Sequence, residues 1–168
     1  MIIVSDTTSV NYLILIDHID ILRELFGRIM IPQAVWEEFH NQGTPEIVRL
    51  WVDSSPSWLE VRQASETFIA SVGQLGAGER EAVALAKELN ADAILMDDRK
   101  ATKEARKHGL TTIGTLAILA KASERGLLDL TGALRKLAQT NFRFPLAEVI
   151  DDLIEAHEQT KQDATDQD

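Results

Sequence analysis

The stretch I94-L-M-D-D-R-K100 ends an apolar run in two adjacent carboxylates, Asp97 and Asp98. The opening run, M-I-I-V-S-D, also ends in an acid, Asp6. Two more acids lie on helical patterns. On E79-R-E-A-V-A-L-A-K-E-L89, about 100° per residue places Ala82, Val83, Ala86 and Leu89 on one side. Glu79 falls inside that stripe, whereas Glu81 and Glu88 point the opposite way. On P32-Q-A-V-W-E-E-F-H40, Glu38 borders the stripe of Val35 and Phe39, and Glu37 faces away. Converging carboxylates raise one another's pKa unless a cation neutralises them. An all-oxygen set suits a hard ion, Mg²⁺ or Mn²⁺. Such ions activate water and clamp a phosphate during in-line displacement.

Every one of these acids also has a structural reading. Asp6 sits where a helix N-cap belongs, a role that Thr7, Thr8 or Ser9 could equally fill. Glu38 fits a solvated helix edge. Successive strand residues point to opposite faces, so only one of Asp97 and Asp98 need face a site while the other caps the helix beginning at Arg99. Position alone leaves these readings open. For Glu79 the inward role is the better one, since decoration of the helix dipole accounts for Glu81 more readily.

Five apolar runs, at 2–5, 28–31, 59–62, 93–96 and 111–113, alternate with helical patterns. The helical patterns cover 10–16, 19–26, 32–40, 46–53, 79–90, 99–108 and 116–125. This alternation predicts βαβ units around a mainly parallel sheet. Gly27, Gly109 and Gly126 stand just past helices, as C-cap glycines do. Residues 54–57 and 73–78 read as loops. Two more helices are expected near 130–139 and 146–158, followed by a disordered acidic tail over 159–168. In open parallel sheets ligands bind at the carboxyl ends of the strands, where Asp6, Asp97 and Asp98 lie.

A chain of 168 residues, 45% hydrophobic and 26% charged, is that of an ordinary globular domain. The absence of cysteine excludes disulfides, thiolate zinc sites and cysteine nucleophiles. It fits a reducing cytosol, and a cytoplasmic protein is the expectation. No apolar run approaches the ~18 residues of a spanning helix, so no membrane association is expected. The net charge of −10 weighs against a nucleic-acid partner. The charge is uneven, however. Acids crowd the chain beyond Glu148, whereas 99–108 holds Arg99, Lys100, Lys103, Arg106 and Lys107 against Glu104 alone.

The motifs V4-S-D-T-T-S9, V35-W-E-E-F39, G78-E-R-E-A-V-A-L-A86 and L95-M-D-D-R99, together with G114-T-L-A-I-L119, resemble those of PIN-domain proteins, the small metal-dependent ribonucleases that include the VapC-type toxins. The likeness covers roughly residues 1–145. It implies a three-layer α/β/α sandwich with a central, mainly parallel five-stranded sheet and an acidic pocket at its carboxyl edge. The family's four acids map to Asp6, Glu38, Glu79 and Asp98. Asp6, Glu79 and Asp98 are then the expected ligands of Mg²⁺ or Mn²⁺, Glu38 acts directly or through water, and Asp97 is left as a cap or supporting acid. Thr8 is the expected helper for a metal-bound water, and Arg99 the best candidate for substrate contact. Met96 stands where the family carries a hydroxyl residue, and Glu79 where the toxins commonly have Asp. The loss of that hydroxyl removes a hydrogen bond that would steady a ligand.

The resemblance further implies an RNA substrate, an antitoxin protein as partner and a homodimer. A competing reading is a catalytically degenerate PIN module acting in protein binding or regulation, which Met96 favours. A phosphohydrolase of the aspartyl-phosphate type ranks last, because Thr8 stands where its second Asp would be. His18, His40, His108 and His157 read as surface or helix-end residues, and Trp36, Trp51 and Trp58 as packing rather than base-stacking groups. The apolar residues of 17–26 fit either a core or a dimer or antitoxin surface.

Overall fold

The computed structural model describes residues 1–166, of which residues 1–115 and those from Leu116 onward form two compact units. In the first unit, five strands form one parallel sheet in the order β3-β2-β1-β4-β5. They are β1 (Ile3–Ser5), β2 (Ile29–Pro32), β3 (Leu59–Arg62), β4 (Ala93–Leu95) and β5 (Thr112–Ile113). Each coincides within a residue or two with an apolar run of the sequence. The reason is that strands buried on both faces need continuous apolar stretches rather than alternating ones. Ile3, Val4, Ile29, Ile31, Ile94 and Leu95 are all buried.

From β1 the chain winds outward one way, to β2 and β3, and from β4 it winds the other way, to β5. Right-handed crossovers predict that the two sets of connecting helices flank opposite faces of the sheet, although α3 also packs against α6. The first set is α1 (Thr7–Leu15), α2 (Ile21–Phe26), α3 (Gln33–Glu38) and α4 (Glu46–Asp53). The second is α5 (Glu66–Ser71), α6 (Ala77–Glu88) and α7 (Arg99–Lys107). Alternate strand residues Val4 and Ile94, with Met96, pack against the second set through Ala82–Ala86, Ala101 and Ala105. This is the expected α/β sandwich with a five-stranded parallel core.

Helix α6 departs from a simple amphipathic stripe. Ala82, Val83, Ala84, Leu85 and Ala86 are consecutive and all buried, because α6 meets the sheet together with α3, α5 and α7. Two of its acids end up as fastenings rather than solvated decoration or buried charge. Glu81 and Glu88, expected to point away, accept the N–H of Ala34 at 3.1 Å and of Ser65 at 2.9 Å. They thereby satisfy orphan donors at the starts of α3 and α5. Helix α5 gave no periodic signal, being six residues long with none of them buried. In α2, Ile21, Leu22, Leu25 and Phe26 are buried, which assigns the apolar residues of that stretch to the core. Gly27 and Gly109 take φ of 78° and 76°, the left-handed conformation a helix C-terminus favours.

The second unit contains α9 (Leu130–Ala138) and α10 (Ala147–Thr165), and α8 (Thr115–Glu124) opens at the unit boundary. Helix α10 continues through Thr165 rather than ending at 158. Side chains one turn apart support the extension, with Gln159 donating to Asp163 at 3.1 Å and Thr165 to the Lys161 carbonyl at 2.9 Å. Residues 167–168 of the expected tail lie outside the described residues. His157, expected at the surface, is 8% exposed and shares a hydrogen bond with the Ser123 hydroxyl. No helix among the described residues is long and apolar enough to cross a membrane.

Candidate active site

Strands β1 and β4 are neighbours from which the chain departs in opposite directions, which makes the gap beyond their carboxyl ends the switch point where open α/β sheets bind ligands. Asp6 and Asp97 leave the sheet there. The two strand ends are tied by the Asp6 N–H, which donates to the Leu95 carbonyl at 3.1 Å.

Asp6 turns out to fill both of its readings. It is the N-cap of α1, with Oδ1 accepting the Thr8 N–H at 3.0 Å. Its other oxygen, Oδ2, is buried without a partner, although the residue is only 1% exposed. A buried, half-satisfied carboxylate is costly when ionised. Its pKa is accordingly raised well above the usual carboxylate value, first by burial and then by the charges of Asp97, Glu79 and Glu38, against the opposing pull of the Thr8 N–H.

The other acids are fastened around it. Glu38 closes α3, and its Oε1 accepts the Gly78 N–H at 2.9 Å while Oε2 accepts the Thr7 hydroxyl. The solvated-edge reading of Glu38 therefore gives way to a carboxylate held between α1 and α6. The hydroxyl at the site is that of Thr7; the expected helper, Thr8, contributes its backbone N–H to Asp6. Glu79 stands in the first turn of α6, partly buried, with the Gly76 N–H on its carboxylate. Burial raises its pKa, aided by Asp98 and Glu38 and opposed by the Gly76 bond and Lys100.

The adjacent pair divides its roles differently from the sequence-based expectation. Asp98 is the cap, its Oδ1 accepting the Ala101 N–H at 2.9 Å at the start of α7. Asp97 is drawn instead to the start of α8, where Oδ1 accepts the Thr115 N–H at 2.8 Å and Oδ2 the Thr115 hydroxyl at 2.6 Å. The physical reason is direction: the chain turns into α7 at Asp98, which leaves Asp97 pointing across the strand ends toward Asp6. Burial raises the Asp97 pKa, and the two Thr115 bonds pull it back.

Thr115 bears on the Met96 departure only in part. Met96 is buried in the core, and the hydroxyl found at this corner is that of Thr115, which steadies Asp97 rather than Asp98. The sequence offers no signal for Thr115 beyond its place in the G114-T-L-A-I-L119 motif. Gly114 is small because a Cβ there would sit 3.1 Å from Asp97 Oδ1. Thr115→Val keeps the shape and removes the hydroxyl, leaving a carboxylate oxygen short of a donor. It should destabilise the protein by about 1–3 kcal/mol, read by urea unfolding at pH 7. Thr115→Ser should restore most of the loss; a Val variant as stable as the parent would refute the role.

Among the described residues, no three His, Asp or Glu side chains gather in an arrangement that could already hold a metal ion. The donor chemistry nevertheless fits a hard cation. Asp6 keeps one oxygen buried and unpaired, and Asp98 spends one oxygen on its cap. Both belong to a set of carboxylates that act on one another at the site, with Lys100 pulling the other way at Glu79. Arg99 lies beside Asp97 on the wall of a cavity of about 510 Å³.

The sequence matches the family model DUF3368, described as a PIN domain, over residues 2–159. No curated protein matches it. Among solved structures, a PilT N-terminus domain protein from the hyperthermophilic archaeon Sulfolobus solfataricus P2 is similar with a TM-score of 0.52 and 21% sequence identity. That match covers 73% of this chain and 93% of the other, and at such identity it speaks to the fold alone.

Proposed function

The chain belongs to the PIN-domain family, and from that premise we propose that it is a metal-dependent endoribonuclease. The observation that carries the reading is Asp6: a buried carboxylate with an unpaired oxygen, placed at the switch point and faced by Asp97, Glu79 and Glu38. A fold has no use for such a group unless a cation or proton completes it. Asp6, Glu79 and Asp98 would hold Mg²⁺ or Mn²⁺, with Glu38 taking part directly or through water. When bound, the cation supplies positive charge against the phosphodiester and acidifies water.

The remaining work falls to the chain's own side chains. The Thr7 hydroxyl and Gly78 N–H fix Glu38, so its free lone pairs have a set direction. Thr115 fixes Asp97 from both oxygens. Burial of Asp6 keeps bulk water from one side of the site, which strengthens every electrostatic interaction there. Under the same proposal the protein is a toxin-like nuclease of the cytoplasm, works as a homodimer and has an antitoxin partner.

The test is cleavage of a fluorescently labelled RNA by purified protein with Mn²⁺ or Mg²⁺ and with a chelator. Cleavage that requires the metal supports the reading, and intact RNA in the presence of bound Mn²⁺ overturns it. A second reading, a degenerate PIN module that binds protein partners, is favoured by the lack, among the described residues, of a preassembled metal cluster. Calorimetric titration with Mn²⁺ separates the two, since a degenerate site gives no binding heat.

A further inference from the structure

Helix α7 carries a feature that the acid cluster does not use. Arg99, Thr102, Lys103, Arg106 and Lys107 recur at the spacing of one helix face, while Ala101 and Ala105 are buried on the opposite face. These five residues and Asp97 line a cavity of about 510 Å³. Four cations thus stand against one carboxylate in a protein whose net charge is −10.

The acid of this helix is turned away from the cavity. Glu104 accepts the Gly73 N–H at 2.9 Å and pairs with Lys107 at 3.3 Å and His108 at 3.2 Å. Arg106 is steadied by the Thr112 hydroxyl at 3.2 Å. Neither Arg99 nor Lys103 has a hydrogen-bond or ion-pair partner among the described residues, and both are exposed. With Lys107 paired to Glu104, the cations Arg99, Lys103 and Arg106 remain without a carboxylate partner among the described residues; such a stripe of like charge is self-repelling, so a fold gains from an anionic partner along it.

We propose that this face of α7 binds consecutive phosphates of a single nucleic-acid strand, with the strand's path ending at Asp97 and the acid cluster. The proposal deepens the nuclease reading, on which it rests for the identity of the strand. Arg99 to Arg106 spans roughly 10 Å at about 1.5 Å per residue, enough for a short run of phosphates on one side of the scissile bond. One line of cations one helix wide matches one line of phosphates, and the cavity's single carboxylate marks the end where cleavage takes place. Arg is suited to such contacts because its planar fork grips phosphate oxygens in pairs.

The experiment is fluorescence anisotropy of a labelled ten-nucleotide single-stranded RNA in a chelator, over a range of salt. Cleavage is off under these conditions, so failure of the nuclease reading and failure of this one are distinguishable. The double variant Lys103→Gln/Arg106→Gln should weaken binding about tenfold and flatten the log–log salt slope by roughly 1.4, at about 0.7 per lost phosphate contact. The control Arg135→Gln/Lys136→Gln on α9 should change neither. Wild-type affinity and slope in the α7 variant, an equal loss in the control, or no binding by the unsubstituted protein at low salt would each overturn the assignment.

Discussion

Asp6→Asn raises the melting temperature of the metal-free protein at pH 7 while eliminating cleavage. Asn is as good an N-cap as Asp, so the bond to the Thr8 N–H survives the exchange. What disappears is a buried charge with one unpaired oxygen. Because the folded-state pKa of Asp6 is raised, its ionisation opposes folding. Relative to the unfolded chain, the stabilising contribution of the protonated group is complete below about pH 3.9. It is lost as pH climbs through the raised folded value. Glu79 and Asp97 are raised too and act in the same sense.

The metal-free protein should therefore gain stability on acidification from pH 7 toward pH 5, and Asp6→Asn should flatten that gain. On the order of 1–3 kcal/mol is expected at pH 7, or roughly 2–4 °C per kcal/mol in a chain of this size. Thermal melts in a chelator at the two pH values measure it. Added Mn²⁺ should stabilise the parent more at pH 7 than at pH 5, because protons compete for the same oxygens. A variant that melts at or below the parent at pH 7 would remove the case for a strained acid cluster.

Gly78→Ala should separate stability from activity. Gly78 lies in the first turn of α6, where Ala favours the helix by up to ~1 kcal/mol. The new Cβ, however, would stand 2.5 Å from Glu38 Oε1 and 2.7 Å from its carboxyl carbon. The flexible Glu38 side chain must swing out, abandoning the Gly78 N–H and the Thr7 hydroxyl. The two effects on folding offset, so urea unfolding should stay within about 1 kcal/mol of the parent. Activity should fall about 10²-fold, the scale of a catalytic group displaced by an ångström. Gly43→Ala serves as control, since nothing lies within 4 Å of its added Cβ. A parental cleavage rate in Gly78→Ala would show that the position of Glu38 does not matter.

Much of the fold could be read from single residues and their periods. The five apolar runs became the five strands, and the glycines after 26 and 108 ended helices, because both signals depend on a few adjacent residues. Helix α5 escaped because six half-exposed residues leave no period to detect, and its anchor is Glu88, 23 positions away from Ser65. Glu81 and Glu88 were read as outward-facing for the same reason: a helical wheel shows which side a residue takes, but not which neighbouring helix start is waiting there.

The sequence by itself determined that acids stand at the ends of β1 and β4 and on α3 and α6, since strand ends and helix faces follow from local periodicity. Only the tertiary structure decided what each carboxylate oxygen meets. Thr7 reaches Glu38 across 31 positions, Gly78 reaches it across 40, and Thr115 reaches Asp97 across 18. None of these separations leaves a periodic trace. They also decide that Asp98 caps α7, that Asp97 turns toward Asp6, and that one oxygen of Asp6 stays buried without a partner.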